Sequence, residues 1–283
     1  MKFLALMLVL LLGRYRRRPG WATNLSCRAF AGESGVFQWG IIFLFLIIIE
    51  FILLQFDYRE YGLAILLVEL AVLFIYLPHW NVYDLTGVYA KLWSGGDSEG
   101  AYLDAADALQ LDRRDAAQDA RSDHYSVCKG VIYKGFLTFF LLLFWFVCLG
   151  VPGVFLAILI AQKFGEKQVK QSLLLKLLFW LPCRILGYTF FIVGNGLGAY
   201  EQLNAHGNRE TSNERWLFHM ALGAIGEDSH RQYSNPRVMT DAEFRMHAAD
   251  ELRNITALIR RSAVLWLVVF GVLTMLGIES PLL

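Results

Sequence analysis

Glu50 and Glu69 are the first residues to invite a chemical reading, because each lies near the middle of a long run of Ile, Leu, Phe and Val. A charge carried to the bilayer centre costs roughly 2.5 to 3.5 kcal/mol on insertion scales. Both carboxylates must therefore face protein or water, or hold a proton. Two roles fit: hydrogen bonding between helices, or handling of a proton or ligand. Arg184 poses the same problem with the opposite sign inside a later apolar block. It is either interfacial or paired with Glu50 or Glu69.

Asp97 and Glu99 belong to the polar string Gly95-Gly96-Asp97-Ser98-Glu99-Gly100-Ala101-Tyr102. Asp97 or Ser98 is a natural helix N-cap there, since its side chain can accept a hydrogen bond from the first helical N–H groups. The histidines, His79, His124, His206, His219, His230 and His247, show no metal-ligand spacing among themselves. His219 and His230 flank Gly226-Glu227-Asp228-Ser229, which an ordinary polar turn explains. Cys27, Cys128, Cys148 and Cys183 form no CxxC pair and read as small apolar packing residues. No Walker loop, GxGxxG or HExxH occurs. The expectation is a chain with no catalytic residues, no cofactor and no metal, in which Glu50, Glu69, Asp97, Glu99 and Arg184 are the polar residues of interest.

The elements that must position these residues are set by composition. Of 283 residues, 56% are hydrophobic and only 18% charged, with mean hydropathy +0.44. An average soluble domain is about a quarter charged, so the chain lacks the polar residues to cover a water-facing surface. Its net charge of +1 argues against a nucleic-acid partner, which needs concentrated Lys and Arg.

Residues 1–18 read as an interfacial helix: the apolar stretch is too short to span, and Arg14, Arg16, Arg17 and Arg18 follow it. Membrane segments are expected at 36–56, 61–77, 132–161, 173–200 and 263–278. The third is broken at 150–153 by Gly-Val-Pro-Gly and is expected to be a span plus a half-helix or re-entrant piece. Polar helical regions occupy 79–131 and 201–261. In the first, Tyr102, Ala106 and Leu109 share a helix face, and so do Ala116, Ala117, Ala120 and His124. In the second, Thr240-Asp241-Ala242-Glu243 is a capping box, followed by the apolar stripe Phe244, Ala248, Leu252, Ile255 and Ile259. No Pro or Gly intervenes before Gly271, so one long helix is predicted from there to about Ile278. The fold class is an all-α integral membrane protein with about four transmembrane helices plus the broken segment. Segments 14–35, 79–131 and 201–261 hold five, five and eight Lys or Arg, against one in 57–60 and three in 162–172. That bias places the N-terminus and the polar helices in the cytoplasm of a bacterial inner membrane.

One ordered set of motifs carries a resemblance. It comprises Gly96-Asp97-Ser98-Glu99-Gly100-Ala101-Tyr102, Leu143-Phe144-Trp145 ahead of Gly150-Val151-Pro152-Gly153, Phe179-Trp180-Leu181-Pro182-Cys183-Arg184 and Val193-Gly194-Asn195. In this order they resemble the AmpE family of inner-membrane proteins linked to β-lactamase induction, itself distantly similar to the CobD/CbiB cobinamide-phosphate synthases. The resemblance covers about residues 60–279. It implies a signalling or accessory role in cell-wall recycling and β-lactam response, through a protein partner on the cytoplasmic side. In the synthases a Glu-Asn-x-x-Asp stretch precedes the Leu-Phe-aromatic string. Tyr133, Lys134 and Leu137 stand in those places here, so enzymatic activity is not expected. The alternatives are a divergent membrane ligase of the synthase type, which would gather Asp97, Glu99 and Arg184, and a structural or assembly subunit of a membrane complex.

Overall fold

The structure is a computed structural model and describes residues 2–13, 48, 66–74, 82–109, 111, 120–165, 173–206, 212–226 and 241–276. Glu50, Thr240, the Arg14–Arg18 cluster and the 112–119 segment lie outside the described residues. Among the described residues there is no strand. The helices are α1 (Lys2–Gly13), α2 (Val82–Ser94), α3 (Ser98–Leu109), α4 (Ala120–Gly135), α5 (Leu141–Leu149), α6 (Val151–Gly165), α7 (Leu173–Val193), α8 (Gly196–His206), α9 (Asn213–Ile225) and α10 (Asp241–Met275). Helical backbone also covers 66–74, where Glu69 is buried. Three helices are long and apolar enough to cross a membrane: Arg121–Leu149, Lys176–Val193 and His247–Met275. Their 29, 18 and 29 residues correspond to roughly 43, 27 and 43 Å of helix, against a hydrocarbon core of about 30 Å.

The chain divides into two compact units. The first comprises Met1–His79, Thr138–Leu178 and Val268–Leu283. There α5 and α6 pack on one another across a one-residue corner. Gly150 makes the corner at φ 69°, a backbone conformation that costs any side chain with a Cβ, and its N–H bonds to the Phe146 carbonyl. A Cβ at Gly153 would run into the carbonyl of Trp145. The apolar run 132–161 is therefore bent at the predicted break. In the same unit α1 does more than rest at an interface. Ala5 and Leu6 are fully buried, and the Phe3 ring meets Phe270 edge-on at 5.7 Å, beside Gly271.

The second unit comprises Trp80–Leu137 and Phe179–Leu267. Asp97 caps α3 by accepting a bond from the Gly100 N–H at 2.8 Å, and Tyr102, Ala106 and Leu109 form its buried face as their spacing predicts. At its far end Lys134 donates to the Ala108 carbonyl, one of the acceptors a helix C-terminus leaves open. Helices α8 and α9 touch backbone to backbone where Gly198 faces Gly223. The Asn195 side chain caps α8, and its N–H bonds to the Ala224 carbonyl at 2.7 Å.

Two helix boundaries are not marked by polarity. Helical backbone runs from Ala120 to Leu149 across the 131/132 boundary between polar and apolar segments, with a π-helical turn at Phe136–Phe140. Polarity changes along that stretch but no residue breaks the hydrogen-bond ladder. Conversely, the apolar block 173–200 is two helices, because Asn195 ends one and caps the next. The long C-terminal helix is present as predicted, 35 residues without interruption. Its stripe of Phe244, Ala248, Leu252, Ile255 and Ile259 is buried, whereas Val264, Val268, Val269, Val272 and Met275 are exposed.

Continuity of α10 has a direct readout. In hydrogen exchange, residues 244–261 should protect as one cooperative unit. A rapidly exchanging gap around Asn254 to Leu258 would divide the helix in two.

Candidate functional site

The second unit holds a buried polar cluster built from three helices. His124 and Cys128 lie four residues apart on α4, a spacing that puts both side chains on one helix face. Glu251 comes from α10, 127 residues away from His124 in sequence. Tyr89, on α2, reaches the other edge of the imidazole. The distances are 2.9 Å from Tyr89 Oη to His124 Nδ1, 3.1 Å from His124 Nε2 to Glu251 Oε2, and 3.3 Å from Cys128 Sγ to the same Nε2. His124 and Cys128 are fully buried and Glu251 is 1% exposed. The three donor atoms of His124, Cys128 and Glu251 lie within 4.8 Å of one another.

Aromatic rings close the cluster. Trp93 stacks on Tyr89 at 5.3 Å, and Phe244 meets His124 edge-on at 5.9 Å. Arg121 places its guanidinium over the Phe244 ring at 5.0 Å. Burial pushes the Tyr89 hydroxyl far above the ordinary phenol range, with Cys128, Asp123 and Glu251 adding to the shift. Tyr89 therefore keeps its proton and can either donate to or accept from the imidazole.

The residues singled out in the sequence play other parts. Glu69 is buried in the first unit. Asp97 and Glu99 are exposed, and the Asp97 carboxylate is engaged in the α3 cap. The Arg184 guanidinium carbon sits over the Trp216 ring at 3.8 Å, with Trp180 at 5.6 Å, a cation–π arrangement that apolar surroundings strengthen. Among the described residues no carboxylate comes within ion-pairing distance of it, and nothing joins it to Asp97 or Glu99. The sequence signal for the cluster was the His124–Cys128 spacing, visible only when histidine and cysteine are considered together. Glu251 had no such signal, because only the packing of α10 on α4 brings it there.

No family model, curated protein or solved structure matches the chain. Among the described residues the chain is helical, with three helices able to cross a membrane by length and composition and a buried His–Cys–Glu cluster.

Tyr89→Phe tests the cluster. It leaves a buried imidazole nitrogen without its partner and should cost about 1 to 3 kcal/mol. A phenol whose pKa is raised by folding contributes stability that is complete below about pH 10, its unfolded value, and is lost as pH rises further. Unfolding of the wild type should therefore show a steeper alkaline loss of stability than Tyr89→Phe. Parallel alkaline limbs would contradict the buried placement of Tyr89.

Proposed function

We propose that this chain is an AmpE-like signalling or accessory protein of the bacterial inner membrane, linked to cell-wall recycling and β-lactamase induction. It acts through a cytoplasmic protein partner and is not an enzyme. In this reading it is multi-pass, with about four transmembrane helices plus the segment bent at 150–153, and its polar helices face the cytoplasm.

The observation that carries the reading is what the resemblance motifs do. Asp97 caps α3, Gly150 and Gly153 make the α5–α6 corner, Arg184 stacks on Trp216, and Asn195 joins α8 to α9. These are architectural tasks, so the motifs support a shared scaffold. A ligase of the synthase type needs free carboxylates converging with a cation, and Asp97, Glu99 and Arg184 are engaged elsewhere or stand apart in solvent.

The membrane assignment has its own support. Along α7, Leu177, Leu181, Ile185, Tyr188 and Ile192 are all exposed, and the outer half of α10 exposes a similar valine-rich face. Apolar surface of that extent is unstable in water and suits lipid chains. Trp266 on α10 donates to Thr189 Oγ1 on α7 at 2.9 Å, the kind of bond that joins helices in an apolar medium.

A partner needs a seat, and the second unit has a groove of about 310 Å³ between α2 and α10. Gly87, Ala90 and Ala249 keep it open, Lys91 brings positive charge, and Arg253 lines it while paired with the exposed Asp250 at 3.3 Å. That chemistry suits an acidic segment. A tagged full-length chain, crosslinked in intact cells and purified in mild detergent, should carry over one cytoplasmic protein in fixed proportion. Lys91→Glu combined with Arg253→Glu should reduce that recovery several-fold, and deletion of the chain should alter β-lactamase induction by a β-lactam. Absence of a specific partner together with unchanged induction would overturn the proposal.

A further inference from the structure

We propose that His124 Nε2, Cys128 Sγ and a carboxylate oxygen of Glu251 form a binding site for one divalent transition-metal ion of the zinc class.

The starting point is a conflict over one atom. Both Glu251 Oε2, at 3.1 Å, and Cys128 Sγ, at 3.3 Å, address the same imidazole nitrogen. That nitrogen either carries one proton, which it can direct at one neighbour, or carries none and accepts from one. With Nε2 protonated, the bond to Glu251 is made and the thiol cannot donate there. With Nε2 bare, the thiol donates and an ionised Glu251 meets a lone pair. A metal ion removes the conflict, because it binds all three groups through their lone pairs.

Geometry permits this. Zinc binds nitrogen and oxygen at about 2.0–2.2 Å and sulfur at about 2.3 Å, which sets neighbouring donors about 3.2–3.8 Å apart around a tetrahedral ion. The observed separations of 3.1 and 3.3 Å, all within 4.8 Å, need only small side-chain adjustments. The donors are one imidazole, one thiolate and one carboxylate, a mixed set that suits zinc better than the all-oxygen shell of magnesium or calcium.

Charge points the same way. A fully buried ion must be neutralised where it sits. One thiolate and one carboxylate carry two negative charges, matching a dication and leaving the loaded site with no net charge. Loading forms three coordinate bonds and releases the Cys128 thiol proton to the buffer, while the imidazole stays neutral. For Nε2 to bind metal, the ring proton must reside on Nδ1, which then donates to Tyr89 Oη. Ligating histidines are oriented by just such an outer hydrogen bond. Three protein ligands leave a fourth position for water. Beside the same imidazole, Trp93 offers a buried indole N–H that has no hydrogen-bond partner among the described residues. Since α4 and α10 both supply ligands, the ion would act as a clamp between them. The site is independent of any partner protein.

Cobalt(II), which occupies zinc sites and reports its ligands by colour, is the test. The full-length chain in detergent is stripped with a chelator and titrated with cobalt. One equivalent should bind, with a thiolate-to-cobalt charge-transfer band in the near ultraviolet and the intense visible absorption of a tetrahedral ion. One equivalent of zinc should abolish both. Cys128→Ser should remove the charge-transfer band and Cys148→Ser should keep it; His124→Gln should weaken binding at least tenfold. Failure of the wild type to bind one equivalent of either metal overturns the proposal without recourse to any variant. So does a charge-transfer band that survives in Cys128→Ser, because the thiolate is then elsewhere.

Discussion

The imidazole of His124 is held between helices that the chain makes far apart, and the packing of the second unit follows from it. Its two nitrogens point to Tyr89 on α2 and Glu251 on α10, while Cys128 sits one turn further along α4. None of these groups reaches solvent to any useful degree, so each must find its compensation within the protein. Leaving a buried polar group without its hydrogen-bond partner typically costs about 1 to 3 kcal/mol. The rings of Trp93 and Phe244 then close around the imidazole because polar edges are already engaged and apolar faces remain. Further out, α9 is drawn to α4 by the partly exposed Lys129–Glu214 ion pair at 3.3 Å and by Phe218 against Tyr125.

Helix α10 shows how one element can change surroundings along its length. Its first half buries Phe244, Ala248, Leu252, Ile255 and Ile259 against protein, and its second half exposes Val264, Val268, Val269 and Val272. A change of environment along a helix needs no change of backbone, since every interior hydrogen bond is satisfied within the helix itself. Polarity is therefore a poor guide to where a helix stops. The same holds for the helix from Ala120 to Leu149, which begins with Arg121, Asp123 and His124 and ends in Phe144, Trp145 and Phe146.

This explains which parts were legible in the sequence. Stripes and caps depend on neighbours within a few residues, so the α10 stripe, the Asp97 cap and the buried face of Tyr102, Ala106 and Leu109 could be read directly. The 150–153 break was legible because Gly and Pro act locally. The continuity of the helix through residue 131 was not, because composition changes there while the backbone does not. The Arg184 partner was missed for a related reason. Charge suggests either an interfacial position or a carboxylate partner, whereas Trp216 offers a π-face that has no signature in spacing. Of the polar cluster, His124 and Cys128 show their shared face in sequence, and Glu251 becomes visible only once α10 lies against α4.

The central claim is that His124 and Glu251 act together to hold α4 on α10. A double-mutant cycle measures that coupling directly, using reversible unfolding of the full chain in mixed detergent for His124→Ala, Glu251→Ala and the pair. The two single losses together should exceed the loss in the double variant by a coupling energy of about 1 to 3 kcal/mol, because either change already abolishes the shared interaction. Losses that add to within about 0.5 kcal/mol would show two independent sites and would contradict the account.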